Sequence, residues 1–261
     1  MRSLSIGATG MLAQQLNVEV ISHNIANMNT TAYTRRRTEF NDLLYQDLRR
    51  VGSTSSDAGT VVPAGVQLGL GVKTAAVYRI TEQGSVLSTE NSLDMAIQGR
   101  GYFQIDLPDG ETGFTRDGSF QLSPDGEVVT HDGFLVEGLS AIPVDAISIS
   151  VNQQGEVFYK QDGVTDPQSA GQLQLAIFPN EAGLEGRGEN LFMETPASGP
   201  ANVGVPLTPG FGGIVQEFLE TSNVNAVSEI TSLITAQRAY EMNSRVIATA
   251  DEMMSAATGL K

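Results

Sequence analysis

The spacing of the apolar residues changes twice along the chain, and this change constrains the fold more than any other feature. Over residues 3–28 the apolar side chains recur at alternating steps of three and four, which predicts an amphipathic helix. Residues from about 223 to 258 show the same spacing, whereas the residues between the two ends follow the period of two that is typical of strands. The sequence therefore predicts an α+β protein, with long N- and C-terminal helices that form a coiled-coil-like core and a β-rich middle domain.

The apolar stripe on each predicted helix is interrupted by polar residues. The N-terminal stripe contains Leu4, Ala8, Met11, Gln15, Val18, Ser22 and Ile25. The C-terminal stripe contains Ile230, Leu233, Gln237, Tyr240, Ser244, Ile247, Asp251 and Met254. Two helices with so many polar positions bury too little apolar surface to be stable alone, since helices in proteins depend on packing an apolar face. We expect both ends to pack against copies of themselves, and an ordinary intramolecular hairpin is the alternative.

Asp-Gly pairs divide the middle of the chain into short runs. They lie at 109–110, 117–118, 125–126, 132–133 and 162–163. Asp-Gly between alternating runs is a strong hairpin signal, so we expect antiparallel strands on either side of each pair. The predicted strands cover 102–105, 114–116, 119–122, 128–130, 134–136, 147–151, 156–159 and 172–178.

The changes of period and composition predict five segments. These are an N-terminal helical core segment (1–45), an extended connector (46–71), a β-rich middle domain (72–195), a second connector (196–219) and a C-terminal helical core segment (220–261). Both connectors are rich in residues that disfavour regular structure, and we interpret 53–65 as a brace between neighbouring subunits.

Composition excludes several classes of function. The chain has 261 residues, 15 Lys and Arg against 30 Asp and Glu, a formal net charge of -15, no Cys and two His. Such a chain is unsuited to binding nucleic acid or anionic lipid and has no cysteine ligand for a metal. No run approaches the roughly 18 apolar residues that a membrane span needs, so we expect no membrane insertion. The N-terminal apolar run is too short for a cleaved signal peptide.

The acidic residues of the middle domain raise one enzymatic alternative. A pair such as Asp94 and Asp117 could serve a glycoside hydrolase, which needs two carboxyl groups across a cleft. However, an Asp followed by Gly is explained by turn geometry. We therefore predict no catalytic residue, metal site or cofactor, and a carbohydrate-binding protein or hydrolase remains the alternative from another class.

Motifs at both ends resemble those of the bacterial flagellar axial proteins, the rod and hook family. The N-terminal motif is SHNIANMNTTAY at 22–33, and the C-terminal motifs are ETSNVN at 220–225 and QRAYEMNS at 237–244. Within that family, the segments 99–103, 115–120 and 188–192 resemble subunits of the distal rod. The family motif has Asn at the position of His23 and Gly at that of Ala32, so this turn lacks a glycine's conformational freedom.

The resemblance implies a structural subunit without enzymatic activity. It implies export through the flagellar type III apparatus without a cleaved signal peptide, and polymerisation into the hollow distal rod that transmits torque across the periplasm. The implied partners are other copies of the chain, proximal rod proteins, the hook protein, the L- and P-ring bushing and the export apparatus. A hook or proximal rod paralogue is the alternative within the family. The predicted assembly interface contains Leu4, Met11, Val18, Ile25, Asn27, Asn29, Thr30, Asn223, Ile230, Leu233, Gln237, Arg238, Tyr240, Ile247 and Met254.

Overall fold

A computed structural model describes residues 2–52, 64–163 and 166–259 of the chain. Its two α-helices lie at the ends, as predicted, and are α1 (Arg2–Ala26) and α2 (Ala226–Gly259). The strands lie between them, which confirms the α+β class with a β-rich middle. Most of 53–65, the segment interpreted as a brace, falls outside the described residues.

The strands are short and run in this order: β1 (Arg36–Asp42), β2 (Tyr45–Arg49), β3 (Val66–Gly69), β4 (Val72–Arg79), β5 (Val86–Ser88), β6 (Met95–Gln98), β7 (Tyr102–Asp106), β8 (Thr112–Thr115), β9 (Gln121–Leu122), β10 (Val128–Val129), β11 (Leu135–Val136), β12 (Ala146–Val151), β13 (Glu156–Gln161), β14 (Gln168–Gln172), β15 (Leu175–Ile177), β16 (Glu185–Gly188), β17 (Leu191–Met193), β18 (Asn202–Gly204), β19 (Gly213–Gln216) and β20 (Phe218–Glu220). Within the described residues, a 3-10 turn covers Glu181–Gly183.

The chain divides into two compact units. The first, which we call the helical unit, contains residues 1–26, 36–79 and 225–261, and the second, the β unit, contains 27–35 and 80–224. The boundaries of the two units differ from those of the five segments predicted from period and composition. The boundaries of those segments remain a prediction.

In the helical unit, α1 contacts α2 and also the antiparallel pair formed by β1 and β4. Thr38 on β1 donates a hydrogen bond from Oγ1 to Oδ1 of Asn17 on α1, at 2.7 Å. The second antiparallel pair, β2 with β3, belongs to the same unit.

The β unit is built on an antiparallel sheet whose central strand is β7, flanked by β8 on one side and by β11 and β15 on the other. Because successive strand residues point to opposite faces, Phe103 enters the main core while Tyr102 enters a second cluster. Phe103 packs edge to face against Phe120 with the ring centroids 5.2 Å apart, and Tyr102 packs in the same manner against Phe178 at 5.9 Å. Both faces of the sheet are therefore covered within the unit.

Three of the Asp-Gly pairs make the predicted hairpin turns. Gly110, Gly126 and Gly133 each donate a backbone hydrogen bond to the carbonyl three residues earlier and have φ of +79°, +82° and +85°. These turns join β7 to β8, β9 to β10 and β10 to β11. Gly163 also has a positive φ of +81° and follows β13.

The hairpin predicted at 117–118 is wrong. Gly118 is buried, and a Cβ built on it would lie 1.6 Å from the carbonyl oxygen of Met95. This glycine permits a close approach of two backbone segments, and β8 and β9 on either side of it pair with other strands.

Candidate assembly surface

The two helices meet through small residues. A Cβ built on Gly7 of α1 would lie 2.8 Å from Cγ1 of Ile247, and one built on Gly10 would lie 2.8 Å from Nδ2 of Asn243. Ala236 and Ala250 are buried on α2, where they lie seven residues before and after Asn243. Glycine and alanine allow the helix backbones to come close, but they contribute little apolar area to the contact.

A buried asparagine joins three elements of the helical unit. Asn24, 1% exposed, accepts a hydrogen bond at Oδ1 from the backbone N of Arg36 at 2.8 Å and donates from Nδ2 to the carbonyl of Arg36, also at 2.8 Å. The same Nδ2 lies 3.2 Å from Oε2 of Glu229 on α2. Since an unpaired buried amide is costly, these bonds fix the end of α1 against β1 and the first turn of α2.

The start of α2 follows from its flanking residue. Asn225, just before the helix, accepts a hydrogen bond at Oδ1 from the backbone N of Ser228 at 3.1 Å, as an N-cap does. This cap places α2 three residues later than the predicted start near 223.

Many large apolar side chains of the two helices are exposed to solvent. On α1, Leu12 is 66% exposed, and on α2 the exposed side chains include Val227, Ile230, Ile234, Tyr240, Met242, Val246, Met253 and Met254. Monomeric proteins rarely leave so many large apolar groups together on the surface. We take this set of exposed side chains on α1 and α2 as the candidate assembly surface.

The predicted stripe and the buried helix face are offset by one residue. The structure buries Ala236 and Ala250, whereas the stripe was assigned to the neighbouring positions Gln237 and Asp251. Of the predicted helix residues, the half-buried ones are Leu4, Met11, Val18, Ile25, Leu233 and Ile247, and the exposed ones are Ile230, Gln237, Arg238, Tyr240 and Met254. The five exposed residues are thus still available to contact another molecule.

One groove brings together predicted residues from both helices. Val18 of α1 and Tyr240 of α2 form its apolar part, and Gln237 lies beside them. Gln15, Glu19 and Glu241 line the rest, and Gln15 donates from Nε2 to Oε1 of Glu19 at 3.1 Å. An apolar strip bordered by amides and carboxylates suits an amphipathic helix of a neighbouring molecule.

The remaining predicted residues lie in the β unit and not on the helices. Thr30 donates from its backbone N and from Oγ1 to Asn27, whereas Asn29 is exposed. Ala32 completes this turn with φ of +54°, and its N donates to the carbonyl of Glu220 at 2.8 Å. The chain therefore adopts at Ala32 the left-handed conformation that glycine favours.

Asn223 holds segments of the β unit together. Its Oδ1 accepts from the backbone N of Arg35 at 2.7 Å, and its Nδ2 donates to the carbonyls of Ile80 and Glu82 at 2.9 and 2.8 Å. This side chain, predicted for assembly, has three hydrogen bonds within its own subunit.

Sequence reasoning missed the buried ion pair between Arg116 and Glu220. Nε of Arg116 lies 2.6 Å from Oε2 of Glu220, and the two side chains are only 10% and 3% exposed. Arg116 also donates to the carbonyls of Gly99 and Gly101, and Glu220 accepts from the N of Gly84. In the sequence, the only indication of this ion pair was that Arg116 and Glu220 both lie in motifs that resemble those of the rod and hook family.

The pair of strands β2 and β3 forms a second apolar surface. Leu44 and Tyr45 at its start, Leu48 within β2, and Val66 and Leu68 on β3 are all exposed. Hydrogen bonding to the carboxylate of Asp42 raises the pKa of the Tyr45 hydroxyl above its usual value. Because a two-stranded hairpin is marginally stable alone, we take this surface as a second candidate for contact with another molecule.

The carboxylates considered for catalysis have structural roles. Oδ1 of Asp94 accepts from Nδ2 of Asn91 at 2.9 Å. Asp117 accepts from the N and Oγ of Ser119, and from Nδ2 of Asn190. The described part of the chain holds no cluster of three or more His, Cys, Asp or Glu suited to a metal. Over the same residues, neither helix is long and apolar enough to cross a bilayer.

Family profiles match both ends and the middle of the chain. The profile described as "Flagella basal body rod protein" matches residues 4–34, that of the "Flagellar hook protein FlgE/F/G D1 domain" matches 96–159, and that of the "Flagellar basal body rod FlgEFG protein C-terminal" matches 215–260. Together they cover α1, much of the β unit and α2.

Curated relatives match over the whole length. The chain is 57% identical over 261 residues to the flagellar basal-body rod protein FlgG of Caulobacter vibrioides, with 100% of each chain covered. It is 43% identical to that of Borreliella burgdorferi, over 100% of this chain and 99% of the relative, and 37% identical to that of Bacillus subtilis over the same shares. The chain belongs to the flagellar basal-body rod protein family. It is a structural subunit of the flagellar distal rod, as the sequence predicted, and the alternatives are not favoured.

Proposed function

We propose that copies of this chain polymerise through the exposed apolar faces of α1 and α2, which form a coiled-coil-like core around a hollow shaft. The polymer transmits torque across the periplasm to the hook and catalyses no reaction. The residues predicted for the interface lie on both helices and at positions 27, 29, 30 and 223.

One observation carries this proposal: the helices come close at Gly7 and Gly10 of α1, while many large apolar side chains of both helices remain exposed. Fully burying one such side chain contributes about 1.5–3 kcal/mol. Several of them on each copy therefore supply a substantial driving force for self-association.

The proposed partners are the components that a distal rod subunit would meet in the basal body. They are proximal rod proteins, the hook protein, the L- and P-ring bushing and the type III apparatus, through which the chain leaves the cytoplasm. The net charge of -15 supports rotation inside a bushing, because a strongly charged surface resists non-specific adhesion.

Replacing Ile230 with aspartate is expected to reduce rod assembly sharply. Ile230 is 48% exposed in the subunit, so the charge is solvated before assembly and must be desolvated within it. The measurement is the amount of variant in basal bodies purified from cells that lack their own copy of the gene.

The matched control is Ile230→Val, which keeps an apolar side chain and should assemble normally. The Ile230→Asp monomer should also unfold at the wild-type temperature, which separates loss of assembly from loss of folding. Normal incorporation of the aspartate variant would contradict a role for this face.

Deleting residues 53–65 is expected to leave the subunit soluble and exportable while softening the polymer. The reason is that we propose this segment, which lies between β2 and β3 in the sequence, as a brace between neighbouring copies. The measurement is the straightness of purified rods in electron micrographs. A Gly/Ser replacement of equal length is the control that separates chain length from sequence, and unchanged straightness of the deletion polymer would contradict the brace.

A further inference from the structure

Asp132 and Gly133 occupy a hairpin turn that is open to solvent. Both residues are exposed, and the Asp132 carboxylate makes no hydrogen bond or ion pair with any described residue. Gly133 has φ of +85°, and the space around its Cβ position is empty to 4 Å. An aspartate with a free carboxylate is thus followed by a residue without a side chain.

This arrangement is chemically reactive. The backbone N of a residue that follows aspartate can attack the side-chain carbonyl carbon Cγ, and glycine hinders the approach least because it has no Cβ. The carboxyl group reacts in its protonated form, after taking up a proton from solvent. The new N–Cγ bond closes a five-membered succinimide, and the hydroxyl of that carboxyl group leaves as water with the amide proton. Water then opens the ring at either carbonyl. Opening at the α-carbonyl yields isoaspartate, with one water lost and one regained.

We infer that Asp132 is a site of spontaneous isomerisation to isoaspartate, and that the fold protects the Asp-Gly pairs at 117–118 and 125–126 from the same reaction. The inference rests on the difference between the surroundings of these pairs.

At Asp132 the fold opposes ring closure only through the hydrogen bonding of one exposed turn. The N of Gly133 donates to the carbonyl of Thr130 at 3.0 Å, and this bond must break before the nitrogen can attack. Turns at the surface open locally at little cost, whereas buried segments open at a free energy that approaches that of global unfolding.

The pair at 117–118 is held from both sides. The Asp117 carboxylate accepts hydrogen bonds from the N and Oγ of Ser119, at 3.1 and 2.6 Å, and from Nδ2 of Asn190 at 3.0 Å. Gly118 is buried, and its carbonyl accepts from the N of Met95 at 2.9 Å. Ring closure would require all of these contacts to be given up.

The pair at 125–126 is held through its glycine. Asp125 is exposed, but Gly126 is buried, and its carbonyl accepts from the N of Ile142 at 2.7 Å. A Cβ on Gly126 would lie 2.1 Å from the carbonyl oxygen of Ile142, so this peptide cannot rotate without displacing the segment that covers it. Both turns have Asp-Gly at the same positions, and the packing of Ile142 against Gly126 distinguishes the turn at 125–126 from that at 132–133.

The surroundings of Asp109 are intermediate between those of Asp132 and those of Asp117. Its turn is as open as that of Asp132, but its carboxylate is paired with the guanidinium of Arg187. That contact raises the pKa of Arg187 and must be given up before Cγ is attacked. Asp109 should therefore react more slowly than Asp132 and faster than Asp117.

Isomerisation at 132 would alter the neighbouring side chains. Nε2 of His131 lies 3.0 Å from Oγ of Ser119, and Nδ1 of His131 lies 3.2 Å from Nε2 of Gln121. Isoaspartate adds a methylene to the backbone directly after His131, which shifts the imidazole from these partners. A subunit that cannot be replaced within a polymer would accumulate this change with age.

The test is to incubate the folded full chain near neutral pH and to map isoaspartate by peptide mass spectrometry together with enzymatic isoaspartyl methylation. We expect the modification at 132 to form at least about tenfold faster than at 117 or 125, since about 1.4 kcal/mol of extra opening cost gives that ratio. In concentrated urea the three sites should react at similar rates, because the protecting contacts are gone.

Two variants make the result specific. Asp132→Glu should remove the signal at 132, since glutamate would need a six-membered ring, and should leave the other sites unchanged. Asn190→Ala should raise the rate at 117 because one contact of its carboxylate is lost. Equal rates at 117, 125 and 132 in the folded chain, or a fastest reaction at 117 or 125, would overturn the inference.

Discussion

Replacing Ile247 with aspartate is expected to abolish incorporation into the rod while the β unit stays folded. Cγ1 of Ile247 lies 2.8 Å from the position that a Cβ on Gly7 would take, so the side chain packs directly against the backbone of α1. A carboxylate on this side of the contact would lie against the backbone of α1 and lose part of its hydration. Ile247 is half-buried, so the charge is partly desolvated without a counter-charge, and we expect this cost to weaken the contact between the helices. The measurement is again the content of variant subunit in basal bodies.

The control for Ile247 is Ile247→Val, which removes one methylene and costs about 0.5–1.5 kcal/mol. This variant should still assemble. Amide exchange of the monomer should show that residues 95–216 are protected equally in the wild type and the aspartate variant. Normal assembly of Ile247→Asp would contradict the close contact between the helices.

Replacing Arg116 with alanine is expected to lower the free energy of unfolding of the β unit by about 3–5 kcal/mol, because the substitution leaves Glu220 buried without its counter-charge. The carbonyls of Gly99 and Gly101 lose a donor as well. Urea denaturation of the full chain, followed by amide exchange in the β unit, measures the effect.

The matched control for Arg116 is Arg187→Ala, which removes the exposed ion pair with Asp109. It should leave the denaturation midpoint unchanged, because exposed pairs contribute little. The double substitution of Arg116 and Glu220 by methionine should recover much of the lost stability, since it leaves no buried charge unpaired. Equal midpoints for Arg116→Ala and Arg187→Ala would show that burial of the first pair has no energetic consequence.

The features that could be predicted were those encoded by neighbouring residues. The helices appeared at 2–26 and 226–259 against predictions of 3–28 and about 223–258. The turns at Gly110, Gly126 and Gly133 were found as predicted, because Asp-Gly specifies its turn through its own backbone conformation. The long motifs at both ends identified the family without any structural information.

The sequence did not predict the strands in the connectors, because these strands depend on residues that are distant in the chain. β2, β3, β18, β19 and β20 are short, and glycine or polar residues interrupt them. Each exists because a distant strand pairs with it, as β19 pairs with β6 and β20 with β5. Such pairing leaves no periodic signal within the strand itself. The pair at 117–118 misled the prediction because its glycine is required by the backbone of Met95, which is remote in sequence.

By itself, the sequence determined the α+β class, the positions of the helices, most hairpin turns and membership of the rod family, because periodicity and motifs are local properties. Only the tertiary structure decided which helix face pairs within the subunit. Helices pack where their backbones can come closest, and Gly7 and Gly10 select that face although they carry no apolar signal. The ion pair of Arg116 and Glu220 was likewise decided by the fold, because residues 104 positions apart meet only when the sheet has formed.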